Sequence, residues 1–493
     1  MHIEDEYIRL IFGLKLKQIR TEKKLSLFGL AKLTGLSKSY LNEIEKGKKY
    51  PKTDKIALLS EYLEVPYDHL VSLKLDKNLA PIGEILKSKI LKEIPLDLFG
   101  IQEQNLIDII ANAPAKVNAF ISTIIKISQN YNLTRESFFL ASLRSYQEAH
   151  NNYFDDIEEH VEAFAKAYHI NLHSMINSTD LEEILIEEFG YTIDNKELNK
   201  HANLTELRNI YIPAKKTLLI SNDISEAQKT FIYAKELAYN FLAIENRLYT
   251  FPWVKFDDFD QVLNNFIASY FAGALIIPKQ TLVTHLDAFF ELETWQAEKF
   301  NQVISNYNCS AETFYQRLTN ILPKFFHIKN LFFLRFTHKI DSPKFKLTKE
   351  LHITQQQTPH ANRNNEHYCR RWVSINSIKE LEKNTENTSL GVQISSYENT
   401  DNQYLVISSA TPDPFKKEMN RSISIGLLMS PHLKKRLKFI TDASISTKEV
   451  GITCETCSIQ NCKERVVNPW RLERQKQYED IDTTVTNILN TYS

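Results

Sequence analysis

Glycine is scarce in this chain, at 11 of 493 residues. Long flexible linkers are built from glycine and serine, so the scarcity argues against them. Long apolar runs are missing too. The longest, residues 266–277, falls short of the about 20 residues a membrane helix needs, so no membrane partner is expected. Residues 1–6 are acidic and lead into no apolar run, which gives no sign of a secretory leader. Cysteine is sparse, with 5 residues. Without a leader the chain is expected in the cytoplasm, where clustered cysteines read as metal or redox sites rather than a disulfide framework. Net charge is almost absent, at −1, so the chain as a whole carries no nucleic-acid signature.

Aromatic residues are plentiful, with 28 Phe and 22 Tyr. Hydrophobic residues make up 43% and charged residues 25%, an ordinary soluble composition. At about 100–200 residues per domain, the length suggests roughly two to four domains. Few glycines and many aromatics predict a mostly α fold with α+β parts. The near-zero net charge also hides a segregation. Residues 15–55 hold twelve basic residues (Lys15, Lys17, Arg20, Lys23, Lys24, Lys32, Lys38, Lys46, Lys48, Lys49, Lys52, Lys55) against four acids (Glu22, Glu43, Glu45, Asp54), a local excess of eight positive charges. A phosphate backbone requires such a patch.

Four segments emerge. Residues 1–75 read as short amphipathic helices. Residues 76–168 read as a helical connector, with apolar positions recurring at three and four (Leu106, Ile109, Ile110; Phe120, Ile124, Ile127). Residues 134–168 lack glycine and proline and read as one long helix or two; a pairing surface between two copies is placed there. Residues 169–335 mix short strands (191–193, 209–212, 217–220) with longer helices. Residues 336–493 read as α+β, with strands over 390–396 and 403–409 and surface loops over 355–366 and 380–389.

The first segment carries the sharpest pattern. Ser26 is placed to cap a helix, Ala31 is small where two helices cross, and Gly35 permits the positive φ of a tight turn. Ser37 caps a second helix, with Leu36, Leu41 and Ile44 facing inward. That leaves Lys38, Ser39, Tyr40 and Asn42 outward near its amino terminus, and Gly47 ends it. Lys46, Lys48 and Lys49 follow as phosphate contacts. The segment resembles the lambda-repressor-like (XRE) helix-turn-helix family, in which this second helix enters the major groove. The preceding residues 12–23 fit, as do residues 51–70. One departure is Leu27, where the family usually has a glutamine that braces a phosphate contact, so docking is expected to differ slightly there. The resemblance implies that Ser37, Lys38, Ser39, Tyr40, Asn42, Lys46, Lys48 and Lys49 contact double-stranded DNA. A helix-turn-helix used only for protein contact is the competing reading.

Residues 230–242 and 268–278 together resemble the ImmA/IrrE-type zinc peptidase domain, a zincin-like α+β fold. That family carries H-E-x-x-H on one helix, two imidazoles one turn apart holding zinc with Glu as general base. Here those positions are Lys235, Glu236 and Tyr239, so only the Glu survives. A third acidic ligand is expected within residues 262–267, which contain no acid. The resemblance therefore implies a scaffold or binding domain with no catalytic metal, and the chain is not expected to be an enzyme.

Cys454, Cys457 and Cys462 follow a C-x-x-C-x-x-x-x-C spacing, with Cys369 upstream. Four thiolates would complete a structural zinc site, with His432 an alternative fourth ligand. A reversible redox pair and simply packed thiols remain open. Neighbouring Lys463 and Arg465 are expected to lower the thiol pKa values. Cys309 reads as an ordinary buried thiol. Residues 369–372, 424–428 and 450–465 resemble the carboxy-terminal domain of short-chain fatty acyl-CoA regulators, whose domain order matches this chain. The resemblance implies a transcriptional regulator with a short-chain acyl-CoA effector. No Gly-rich phosphate loop is present, so a CoA site would use scattered cations; Lys434, Lys435, Arg436 and Lys438 are candidates, or a solvated helix face. Operator specificity for such modules normally takes a dimer, so a homodimer is expected. The alternatives are a non-enzymatic anti-repressor acting through the peptidase-like domain and, less favoured, a zinc metallopeptidase.

Overall fold

In the computed structural model, residues 2–73, 135–251, 256–353, 366–384, 387–414, 416 and 418–492 are described. They divide into two compact units, Met1–Tyr146 and Gln147–Ser493, each taken by itself. The periodic positions from Leu106 to Ile127 lie outside the described residues, as does most of the 355–366 stretch.

The first unit opens with five helices: α1 (His2–Glu22), α2 (Leu27–Thr34), α3 (Lys38–Glu45), α4 (Thr53–Tyr62) and α5 (Tyr67–Val71). Apolar residues at helical spacing give them one shared core, formed by Phe12, Leu16, Ile19, Leu30, Leu41, Ile44, Ile56, Leu59, Leu63 and Leu70. Gly13 sets how closely α1 can cross α3. A Cβ there would lie 2.3 Å from the Ile44 carbonyl oxygen and 2.9 Å from that of Glu45. No side chain fits at such a crossing.

The region expected as one helix or two is two: α6 (Arg135–Ala149), which contains the border between the units, and α7 (Asp155–Ala167). Asn151 and Asn152 break them, at φ 50° and 51°. Asparagine tolerates this left-handed region better than most residues.

The second unit continues with α8 (Ser178–Glu187), β1 (Thr192–Asp194), β2 (Asn209–Ile212), β3 (Thr217–Ile220), α9 (Glu226–Phe241), β4 (Thr250–Phe251) and α10 (Phe259–Ile276). Next come α11 (Lys279–Phe290), α12 (Ala297–Ser305) and α13 (Ala311–Phe325). The four strands form a small mixed sheet, ordered β1-β3-β2-β4. Helix α10 is apolar on nearly every side because α7 and α9 pack on it. Among the described residues no single helix is long and apolar enough to cross a membrane.

The rest comprises β5 (Leu331–Lys339), β6 (Phe345–Ile353), α14 (Val373–Lys383), β7 (Ser389–Tyr397), β8 (Gln403–Pro412), β9 (Met419–Leu428), α15 (Pro431–Arg436), β10 (Thr447–Val450) and α16 (Trp470–Tyr492). These strands make a six-stranded sheet, ordered β10-β7-β8-β9-β5-β6, antiparallel except for β10 beside β7. Helix α14 covers one face, sealing a core around Trp372, Ile375 and Ile378. Because α14 runs to Lys383, the loop expected over 380–389 is shorter than the sequence suggested: Leu381 is buried against the sheet. Strand β5 runs through residues 335 and 336, so its pairing with β9 joins the segments on either side of that point.

One buried ion pair ties three helices of the second unit together. Arg317 of α13 reaches Glu158 of α7 through Nη1 at 2.5 Å and Nη2 at 3.1 Å, with both side chains almost wholly buried. Tyr270 of α10 donates to the same carboxylate at 2.9 Å. Removing one partner strands a buried charge, so Arg317→Leu should cost about 3–5 kcal/mol. The double variant Glu158→Leu, Arg317→Leu should recover part of that loss. Urea unfolding of the full chain checks both; equal loss in the single and double variants would contradict the assignment.

Candidate nucleic-acid interface

The helix-turn-helix forms as its residue types require. Ser26 Oγ accepts from the Gly29 amide at 2.9 Å and Ser37 Oγ from the Tyr40 amide at 3.1 Å, so both helices start on side-chain caps. Gly35 ends α2 at φ 69° and Gly47 follows α3 at φ 68°. Leu41 and Ile44 are buried, and Leu36 packs against the core. Ser37, Lys38, Ser39 and Asn42 are exposed along the start of α3, as are Lys46, Lys48 and Lys49 beyond its end. Tyr40 is half-buried against the core, which leaves only part of its ring for a ligand. Leu27 also packs there, in keeping with an apolar residue at that position.

Charge counting overstates the basic patch, because several of its members work inside the fold. Lys15 is buried and donates to the carbonyls of His69 at 2.9 Å and Ser72 at 2.6 Å. Arg20 makes a two-pronged pair with Glu45, at 2.6 and 2.9 Å. Its remaining nitrogen reaches the Leu25 carbonyl at 2.7 Å. Lys49 pairs with Glu43 at 2.7 Å, which competes with a phosphate contact. Lys38, Lys46 and Lys48 are the exposed cations nearest the start and end of α3.

In the second unit, Lys235, Glu236 and Tyr239, which the resemblance to zinc peptidases singled out, lie on α9 and meet different partners. Lys235 donates to Asn265 of α10 at 2.6 Å, within the stretch where the peptidases place an acid. Glu236 is buried, and Arg247 grips both its oxygens at 2.5 and 2.6 Å. Tyr191 donates to it at 3.1 Å. The Arg247 guanidinium lies over the rings of Tyr239, at 3.9 Å, and Tyr211, at 4.3 Å. The only carboxylate of the motif is thus neutralised by an internal cation. Arg247 was not legible in advance, since it lies beyond the end of α9 at Phe241 and reaches Glu236 only through the fold of the following loop.

The cysteines are brought together in part. The Cys369 amide donates to Ile452 at 3.0 Å and the Cys454 amide to His367 at 2.8 Å. Cys369, Cys454 and Cys457 are buried and Cys462 is half-buried. Burial pushes the Cys369 thiol up to about 12, and the charges of Cys457 and Cys454 add to it. Burial likewise pushes Cys457 up to about 11. At Cys457 burial thus outweighs the lowering that Arg465 supplies as expected. Arg465 spends its guanidinium on the carbonyls of Cys454, Cys457 and Ile459. His432 is engaged with the Phe326 carbonyl at 2.8 Å. Among the described residues, no group of three or more His, Cys, Asp or Glu is arranged to hold a metal ion. Arg436 and Lys438, two of the candidate CoA cations, are matched by Asp287, Glu291 and Glu293.

Burial lowers the Lys235 pKa from 10.5 to about 8. The unfolded chain therefore holds this proton over a range where the folded one has released it, so the fold gains stability as pH rises through that window. Lys235→Met should flatten that gain between pH 8 and 10.5. Denaturation midpoints measured across the window check it, and parallel curves for both proteins would contradict it.

Residues 16–70 match the helix-turn-helix family. No curated protein matches the chain. Among solved structures, a Mycobacterium tuberculosis transcriptional regulator is similar at 17% identity and a TM-score of 0.46, covering 66% of this chain and 92% of that one. With both caps, the tight turn and the shared core in register, residues 16–70 are a helix-turn-helix domain of that family.

Proposed function

We propose that the chain is a sequence-specific DNA-binding transcriptional regulator, responsive to a small metabolite such as a short-chain acyl-CoA, with no catalytic role. One observation carries the DNA-binding part. The capped amino-terminal end of α3 presents Ser37, Lys38, Ser39 and Asn42 to solvent on a helix braced by the Arg20–Glu45 pair. The effector rests on the sequence resemblance. The pairing of Glu236 with Arg247 supports the non-catalytic reading, because the carboxylate that would act as a base is already held. The cysteine spacing supports a structural zinc. Elemental analysis of the full chain tests that part: one zinc per chain agrees, and none removes it.

A homodimer is part of the proposal. Helix α7 turns Ile157, Val161 and Phe164 inward, so its apolar face is spent within its own unit. Helix α16 instead exposes Tyr478, Ile481, Val485 and Ile488. Their three-four-three spacing is the seam of a two-stranded coil between copies. Light scattering on Ile481→Asp, Ile488→Asp should give monomers where the parent chain gives dimers. A parent chain that is monomeric with and without DNA would remove this part.

Fluorescence anisotropy on genomic fragments tests DNA binding. The logarithm of affinity should fall linearly with the logarithm of salt concentration, and Lys46→Ala and Lys48→Ala should each flatten the slope by about 1. Both should weaken binding to every sequence. Asn42→Ala and Ser39→Ala should instead relax base preference, by about 1–3 kcal/mol per contacted position. A full chain that retards no fragment would sink the reading.

A further inference from the structure

Helix α16 is 23 residues long, and after Leu472 each of its residues through Thr491 is exposed. Its sequence favours a helix poorly. From Asp480 to Tyr492 only Leu489 belongs to the strong helix formers; the others are Asp, Asn, Thr, Tyr, Ile and Val. Thr483, Thr484 and Thr491 turn their hydroxyls back onto the carbonyls of Glu479, Asp480 and Asn487, at 2.8, 2.8 and 2.7 Å. Such back-bonding slightly weakens a helix. A segment of this composition does not hold a helix by itself, because the first turn is costly to form and each later residue adds little. The helix therefore needs a start supplied from outside.

That start comes from the turn that carries the cysteines. The Glu455 carbonyl, between Cys454 and Cys457, accepts the amides of Arg471 at 3.1 Å and Leu472 at 3.4 Å. These are two of the four amides that a helix start leaves without an internal acceptor. The Arg471 side chain pairs with Glu366 at 2.7 Å, and Glu366 also accepts from the Thr453 hydroxyl at 2.7 Å. The turn is itself firmly held. The Glu455 carboxylate accepts the His367 amide, at 3.1 and 3.0 Å. Glu398 accepts the amide and hydroxyl of Ser458, at 2.6 and 2.7 Å. Gly451 closes one side: a Cβ there would lie 2.6 Å from Glu398 Oε1 and 2.9 Å from Cys457 Sγ.

We propose that the Cys454–Cys457 turn is a clamp that nucleates α16, so that the packing of this turn decides whether the helix and its exposed apolar seam are formed. Tyr478, Ile481, Val485 and Ile488 share one face only while the segment is helical. Extra bulk between Gly451 and Cys457 Sγ displaces the turn, and the Glu455 carbonyl moves with it. Whatever alters the packing of the cysteine turn thereby regulates the association of two copies. The proposal rests on the homodimer reading for that consequence alone; the clamp stands without it.

Hydrogen exchange and light scattering on the full chain test it. Residues 475–490 should be protected in the parent chain, and Gly451→Ala and Arg471→Met should each speed their exchange by about tenfold or more. Methionine equals arginine as a helix former, so the second variant removes the ion pair and keeps the propensity. Thr483→Ala with Thr486→Ala, both outside the seam, should restore part of the protection in Arg471→Met. Both clamp variants should also raise the dimer dissociation midpoint by about tenfold. Exchange across β7, β8 and β9 shows whether each variant folds. Arg471→Met, at a partly exposed side chain, keeps the test should Gly451→Ala fail to fold. A parent chain whose residues 475–490 exchange as fast as an unfolded chain overturns the proposal. So do clamp variants that leave both exchange and the dimer midpoint unchanged, although the homodimer reading would then stand. A monomeric parent in which both variants still speed exchange removes the homodimer and supports the clamp.

Discussion

The position of the recognition helix depends on one side chain, Arg20. Its guanidinium joins the end of α1 to Glu45 at the end of α3, and its third contact reaches the Leu25 carbonyl just before α2. Three helices are thereby fixed against one another around a partly buried charge. Gly13 makes the same crossing sterically available, about two turns earlier on α1. Everything asked of α3, from the exposure of Ser39 and Asn42 to the burial of Leu41 and Ile44, assumes this crossing. A recognition helix free to rock would present no constant set of donors to a base edge.

The second unit uses charge in a contrasting way. Glu158 and Arg317 form a matched pair in a dry core, where an unmatched ion would be costly. Glu236 and Arg247 form another, also almost wholly buried. The Arg247 guanidinium is stacked between two tyrosines, Tyr211 and Tyr239. Around Glu312 the arrangement is a network: Arg335 donates to both its oxygens and Lys349 approaches to 3.3 Å. Matched pairs hold the unit together.

Much of the first unit was legible in the sequence, for local reasons. Caps, the glycine of a tight turn and apolar residues at helical spacing are each decided within a few residues, so Ser26, Gly35 and Ser37 declare themselves. Strands over 209–212 and 217–220 were legible for the same reason. What was hidden depends on contacts distant along the chain. Lys15 and Arg20 count as DNA-facing charge until the fold shows them bonded to Ser72 and Glu45. Arg247 answers Glu236 across a loop. Arg465 lies beside the cysteines and lowers Cys457 as its neighbourhood suggests, but the burial that outweighs it is set by the fold. The cations around Glu312 come from three separate strands, as Arg335, Lys349 and Arg421.

The most direct measurement is selection of DNA from a random duplex pool by the full-length chain, with sequencing of the bound fraction. The account predicts enrichment of a defined motif, and loss of information at particular base positions when Asn42 is replaced by Ala. A bound pool no different from the input, or a motif indifferent to the outward side chains of α3, would contradict it.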